Sequence, residues 1–373
     1  MPKSFMHKSF GKTMRQATRL TGMGKLLDAT RLIQRALLGA APLARHEPLP
    51  AANDPQVTDV PPRVIILLPP AQPKVNRTPT APRRASSFTK HQFVFEGDTY
   101  PYRLYIPSAP ELDASAAKPM PLVVLLHGCK QDALDFSNGT AMNALAEEHQ
   151  VMVLYPEQIT SANAMRCWNW FEPGHQQAER GEPGMIAALT QKIVQQRSAD
   201  PQRVYIAGLS AGGAMAAVMA GLHPEMFAAV GVHSGLAAGA ARDVMSAFGA
   251  MRTGAKGRSQ PALPTIIFHG AADKTVHPDN SDHITDAALA GLKASGLTLI
   301  KTQTAMTHNS DQKIERIVYS TADGKPYIEN WRIDDGAHAW SGGDAAGSYT
   351  DPDGPSASAA MLAFFLQHRL HSA

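Results

Sequence analysis

Cysteine is nearly absent from this sequence: the 373 residues hold two, Cys129 and Cys167. Two thiols are too few for an ordinary structural zinc site, and no metal or cofactor is expected. Long apolar runs are missing as well, and none approaches the ~18–20 residues that cross a bilayer. The basic start is not followed by an apolar core of about 7–15 residues with a small-residue cleavage site, so no secretory signal peptide is read. Acidic residues are scarce at the beginning. Residues 1–45 carry nine Lys and Arg and a single acid, Asp28, a net +8 in a chain whose total is +3. The rest is weakly acidic, which argues against a nucleic-acid-binding body.

What is present divides the chain into three parts. Residues 1–45 read as a basic amphipathic helical extension. Met14, Ala17 and Leu20 recur at helical spacing, and Leu26, Leu27, Thr30, Ile33 and Leu37 do so after Gly22-Met23-Gly24. Such a helix suits a membrane or granule surface, or packs as a helical hairpin on the main domain. Residues 46–90 hold ten of the 28 prolines. Prolines deny the chain helical and ladder hydrogen bonds, so this stretch reads as a tether. Its apolar island, Val64-Ile65-Ile66-Leu67-Leu68, is expected to dock on another surface.

Residues 91–373 read as one α/β domain, and 44% hydrophobic content overall supplies the apolar mass for its core. Residues 91–95 and 100–106 suggest an antiparallel pair around Glu96-Gly97-Asp98. Residues 121–126 and 151–155 are continuous apolar runs of the kind buried on both faces. Further strands are expected at 204–207, 226–233, 264–269 and 327–333, and helices at 141–148, 185–196, 214–222 and 361–368. Strands alternating with helices predict a mostly parallel sheet whose ligands sit at the carboxyl ends of the strands. The small-residue segment 234–261 reads either as a cover over the cleft or as a surface excursion.

The domain is organised around Gly208-Leu209-Ser210-Ala211-Gly212, between a β-branched run and a helix-forming one. A nucleophile at a sharp strand-to-helix turn needs neighbours without side chains, because the backbone folds tightly on both sides. A serine hydroxyl is a weak nucleophile alone, so it needs a base and an acid that orients the base. Of 15 histidines, His338 is best placed, on the last loop before the closing helix. His233, His269 and His277 are rivals, and His308 is weaker. Asp273 follows the strand at 265–268 and fits as the acid, with Asp279 and Asp282 as fallbacks. The order Ser210, Asp273, His338 is that of α/β hydrolases. Two N–H groups would bind the oxyanion: Ala211, directly after the serine, and Cys129, on the loop after residues 121–126.

Together these pieces resemble the esterase family of polyhydroxybutyrate depolymerases, whose relatives include feruloyl and acetylxylan esterases. The resemblance is carried by His127-Gly128-Cys129, Cys167-Trp168-Asn169-Trp170-Phe171, the serine turn through Met215, His269-Gly270 with Asp273, and Ala337-His338-Ala339-Trp340-Ser341-Gly342-Gly343. It covers roughly residues 92–370. It implies an α/β-hydrolase fold and hydrolysis of hydroxyalkanoate esters, polymeric or oligomeric, through an acyl-enzyme, with a feruloyl or acetylxylan esterase as the alternative. A non-catalytic granule- or membrane-associated protein is the reading from a different class. The resemblance also favours a Cys129–Cys167 disulfide over two reduced thiols, and an extracellular location over a cytoplasmic or granule-associated one. Trp168 and Trp340, beside these motifs, are expected to touch substrate as a flat apolar wall.

Overall fold

Residues 121–126 form the interior of the protein because neither face of that strand meets water. The computed structural model describes residues 57–60, 83–110, 119–197, 199–309 and 311–370, all within one unit, Asp54–Ala373. The helices expected in residues 1–45 and the apolar island at 64–68 lie outside the described residues.

In chain order the strands are β1 (Val57–Val60), β2 (Arg83–Arg84), β3 (Ser87–Phe95), β4 (Asp98–Ile106), β5 (Ala109–Pro110), β6 (Met120–Leu126), β7 (Met152–Pro156) and β8 (Ala199–Leu209). They continue with β9 (Ala229–His233), β10 (Thr265–Gly270), β11 (Leu299–His308), β12 (Gln312–Ser320), β13 (Pro326–Ile333), β14 (Trp340–Ser341) and β15 (Thr350–Asp351). The helices are α1 (Ala133–Thr140), α2 (Met142–His149), α3 (Gly181–Gln196), α4 (Ala211–Leu222), α5 (Val244–Thr253), α6 (Asp279–Ala294) and α7 (Ala357–Phe365).

Among the described residues, eleven strands share one sheet in the order β1-β11-β12-β13-β10-β9-β8-β6-β7-β4-β3. The middle six, from β13 to β7, run parallel. The antiparallel pairs β3/β4 and β11/β12 extend it on either side. Side chains alternate across each strand, so one apolar run feeds two cores. Leu122, Val124 and Leu126 pack with α3, α4 and α6, while Val123 and Leu125 pack with α1, α2 and α7. Burying one such side chain is worth about 1.5–3 kcal/mol. From Ala211 to Ala220, α4 is buried at every position. Its Ala and Gly residues let it lie close behind the sheet, which sets where β8 hands over to helix.

The structure differs from the sequence expectations in informative places. The proline-rich stretch contributes β1, which pairs in parallel with β11 and stops directly before Pro61-Pro62. The first strand of the β3/β4 pair starts at Ser87, ahead of the expected 91–95. The β11/β12 hairpin was not anticipated. Its residues alternate weakly because both faces are only partly buried, leaving a polar-rich pattern such as Lys301-Thr302-Gln303-Thr304. Segment 234–261 contains a regular helix, α5. Asp243 caps it through the Ser246 N–H, and Val244, Met245 and Phe248 stand exposed on it.

Candidate active site

The turn after β8 is built around a strained serine. Ser210 holds φ +58° and ψ −120°, a conformation that residues with a Cβ rarely adopt. The cause is packing. A Cβ on Gly208 would lie 2.4 Å from the carbonyl carbon of Gly212, and one on Gly212 would lie 2.1 Å from the Leu126 carbonyl oxygen. Only glycines let strand and helix meet this closely. The bend is held at both ends: Ser210 N–H donates to the His233 carbonyl at 2.9 Å, and Ala214 N–H donates to the Ser210 carbonyl at 2.9 Å.

Asp273 and His338, 65 residues apart in sequence, meet at 2.7 Å between Oδ2 and Nδ1. The other oxygen of Asp273 accepts the N–H groups of Thr275 at 2.8 Å and Val276 at 2.9 Å. Burial works to raise the pKa of this carboxyl, but the hydrogen bond and charge of His338 and those two N–H groups outweigh it. Asp273 is therefore held below the ordinary value and stays ionised. With Asp273 on Nδ1, the Nε2 face of His338 is the one left for proton transfer. Among the described residues the hydrogen bond made by the His338 ring is the one to Asp273, and none joins it to the Ser210 hydroxyl.

The remaining histidine and aspartate candidates are engaged elsewhere. His277 and Asp279 face each other at the exposed surface, and Asp282 pairs with Arg332. His308 ends β11. His269 lies 3.5 Å from Asp273 through Nε2, which also bonds the Val276 carbonyl at 2.9 Å, so it buttresses the acid loop. His233 is fully buried.

The loop after β6 runs directly beside the serine. A Cβ on Gly128 would fall 3.6 Å from the Ser210 Cβ. Among the described residues the Cys129 N–H has no hydrogen-bond partner, and the Ala211 N–H is the first of a helix, where no intrahelical acceptor exists. Cys129 is joined to Cys167 by a disulfide. The loop is held from behind by buried polar groups. His127 bonds the Gly128 carbonyl through Nδ1 at 2.7 Å and accepts the Gln158 N–H at Nε2 at 3.1 Å. Burial drives its pKa down to about 4, so it stays neutral. The Gln131 side chain accepts the Gly128 N–H at 2.9 Å. Glu182 is buried beneath them. It accepts the Gln158 side-chain amide at 2.5 Å, the Asn169 N–H at 2.7 Å and the Asn169 side-chain amide at 2.6 Å. Burial raises its pKa to about 7, against the pull of those donors. Asn169 lies in the motif Cys167-Trp168-Asn169-Trp170-Phe171, whereas Glu182 carries no local signal in the sequence.

Trp168 and Trp340 do not present the wall expected of them. They are 0% and 1% exposed, and each indole N–H is spent inside the protein, on the His127 carbonyl at 3.0 Å and the Ser358 hydroxyl at 3.0 Å. They brace the loop after β6 and the segment after His338 instead. Among the described residues, the exposed aromatic rings are Phe248 and Tyr349. No group of three or more His, Cys, Asp or Glu among them is arranged to hold a metal ion, and no helix among them is long and apolar enough to cross a membrane.

The family described as Esterase PHB depolymerase matches residues 100–298, which include Ser210 and Asp273 but end before His338. The chain is 32% identical over 228 residues to poly(3-hydroxyalkanoate) depolymerase C of Paucimonas lemoignei, covering 57% of this chain and 53% of that protein. It is 31% identical over 187 residues to feruloyl esterase B of Neurospora crassa, covering 44% and 63%. It thus spans about half the length of the curated relatives it matches. The acetyl xylan esterase of Aspergillus awamori superposes with a TM-score of 0.54 at 20% identity, over 75% of this chain and 99% of that one, which is a likeness of α/β fold.

Proposed function

Because the chain belongs to the PHB depolymerase esterase family, we propose that it is a serine esterase acting on hydroxyalkanoate esters through Ser210, His338 and Asp273. The observation that carries the reading is the 2.7 Å Asp273–His338 contact, formed at the same end of the sheet as a serine held at φ +58°.

In this mechanism His338 Nε2 takes the Ser210 proton as Oγ attacks the ester carbonyl. Asp273, kept ionised, holds the Nδ1–H tautomer and stabilises the imidazolium. The Cys129 and Ala211 N–H groups receive the oxyanion, an interaction worth about 10²–10³ in rate per donor. His338 then protonates the departing alcohol, and water, deprotonated by the same imidazole, releases the hydroxyacid. The alternative substrates are feruloyl and acetyl esters of sugars, supported by the names of the relatives at similar identity. The disulfide supports an oxidising, extracellular setting.

Ser210→Ala is expected to abolish hydrolysis of p-nitrophenyl butyrate and labelling by a fluorophosphonate, with the fold intact. Retained turnover would remove the assignment. Assaying hydroxybutyrate oligomers beside feruloylated and acetylated sugars separates the two substrate classes. The basic arm is a partner proposal of its own. Deleting residues 1–45 should weaken binding to polymer granules or anionic vesicles while sparing soluble-ester hydrolysis, and unchanged binding would refute that role.

A further inference from the structure

We propose that His233 is a positioning residue that aligns nucleophile with base, its main chain holding Ser210 and its ring holding the loop that carries His338. The inference rests on the esterase reading and extends it to a residue outside the triad.

Its carbonyl accepts the Ser210 N–H at 2.9 Å, the bond that keeps the serine in its strained conformation. Its ring Nε2 accepts the Ser341 N–H at 3.0 Å, three residues beyond His338. The ring is stacked between Phe268 on β10 and Trp340, with centroids at 5.8 and 5.0 Å. One residue therefore fixes the backbone at the nucleophile and the backbone just past the base. With no hydrogen bond joining Ser210 and His338 in the resting state, their separation is set through such shared supports.

The protonation state follows from the contacts. An Nε2 that accepts a backbone N–H is bare, so the ring proton sits on Nδ1, 3.2 Å from the Ser234 hydroxyl. Burial, and next the neighbouring His269 and His338, drive the pKa down to about 3, against the opposite pull of Asp273. The ring stays neutral across the working range. A proton on Nε2 would set two N–H groups against each other. It would also place a second cation beside His338 when His338 takes the serine proton.

Two substitutions separate the acceptor from the stack. His233→Phe keeps a ring between Phe268 and Trp340 but leaves the Ser341 N–H unpaired. His233→Gln gives up the stack but carries a carbonyl oxygen to the Nε2 position. For folded His233→Phe, kcat on p-nitrophenyl butyrate is expected to fall about ten- to a hundredfold with KM within about twofold, the signature of misaligned reacting groups. His233→Gln should recover most of that loss. A folded His233→Phe enzyme with wild-type kcat, or a more active Phe than Gln variant, overturns the inference. If His233→Phe does not fold, His233→Leu takes its place: it also leaves the Ser341 N–H unpaired, so kcat should fall at constant KM and recover in His233→Gln; unchanged kcat overturns the inference. Fluorophosphonate labelling keeps the two levels apart. Wild-type chain that is not labelled at Ser210 sinks the esterase reading, whereas wild-type and His233→Phe chains labelled at the same rate sink only this one.

Discussion

Lowering the pH from 8 to 5 is expected to destabilise the protein by an amount that Glu182 partly offsets, and Glu182→Gln exposes the offset. In the fold, burial holds His127, His233 and His368 down to about 4, 3 and 4. Unfolded, each takes its proton near the ordinary histidine value of 6.5. As pH falls through 6.5 the unfolded chain gains protons that the folded chain refuses, so stability is lost. By pH 5 each imidazole costs about 2 kcal/mol, and the three together about 6 kcal/mol. His91, His175 and His269, also held low, act in the same direction. Glu182 acts oppositely. Its folded pKa of about 7 lies above the unfolded 4.5, so the fold binds that proton first and gains stability as pH drops between those values. That gain is about 3 kcal/mol by pH 5. Urea unfolding of wild type and Glu182→Gln at pH 8 and pH 5 reads the difference directly. The variant should lose about 3 kcal/mol more than wild type across that interval. Parallel losses would refute the reasoning, and would mean that the three donors to the carboxylate, from Gln158 and Asn169, prevail over burial and keep it ionised.

Three further outcomes test the site. Asp273→Asn, which removes the acceptor that fixes the His338 tautomer, should lower kcat by about 10⁴-fold with KM little changed, measured in steady state on p-nitrophenyl butyrate. Gly212→Ala places a methyl 2.1 Å from a backbone carbonyl that cannot retreat, so near-ultraviolet circular dichroism should show lost packing and turnover should vanish. Replacing both cysteines by serine opens a loop of about 39 residues and should cost about 4 kcal/mol in denaturant unfolding. The folded variant should keep partial activity, because the Lys130–Met165 and Trp168–His127 hydrogen bonds still tie the loop after β6.

Much of this protein was settled by residues close together in the chain. A β-branched run, small residues around Ser210 and an Ala-rich helix declare a strand-turn-helix because backbone crowding is a local property. The continuous apolar strands at 121–126 and 151–155 declared a two-sided core for the same reason, since burial on both faces leaves no room for alternation. Tertiary structure decided what depends on distance in space. The 65-residue gap between Asp273 and His338 closes only through the register of β10 against β13. The roles of Trp168 and Trp340 reversed, from walls to supports, because burial is conferred by what packs on top of a residue and not by its neighbours in sequence. The supporting polar groups, Glu182, Gln131 and His233, carry no local pattern at all, since a hydrogen bond between remote segments leaves no trace in the spacing of either.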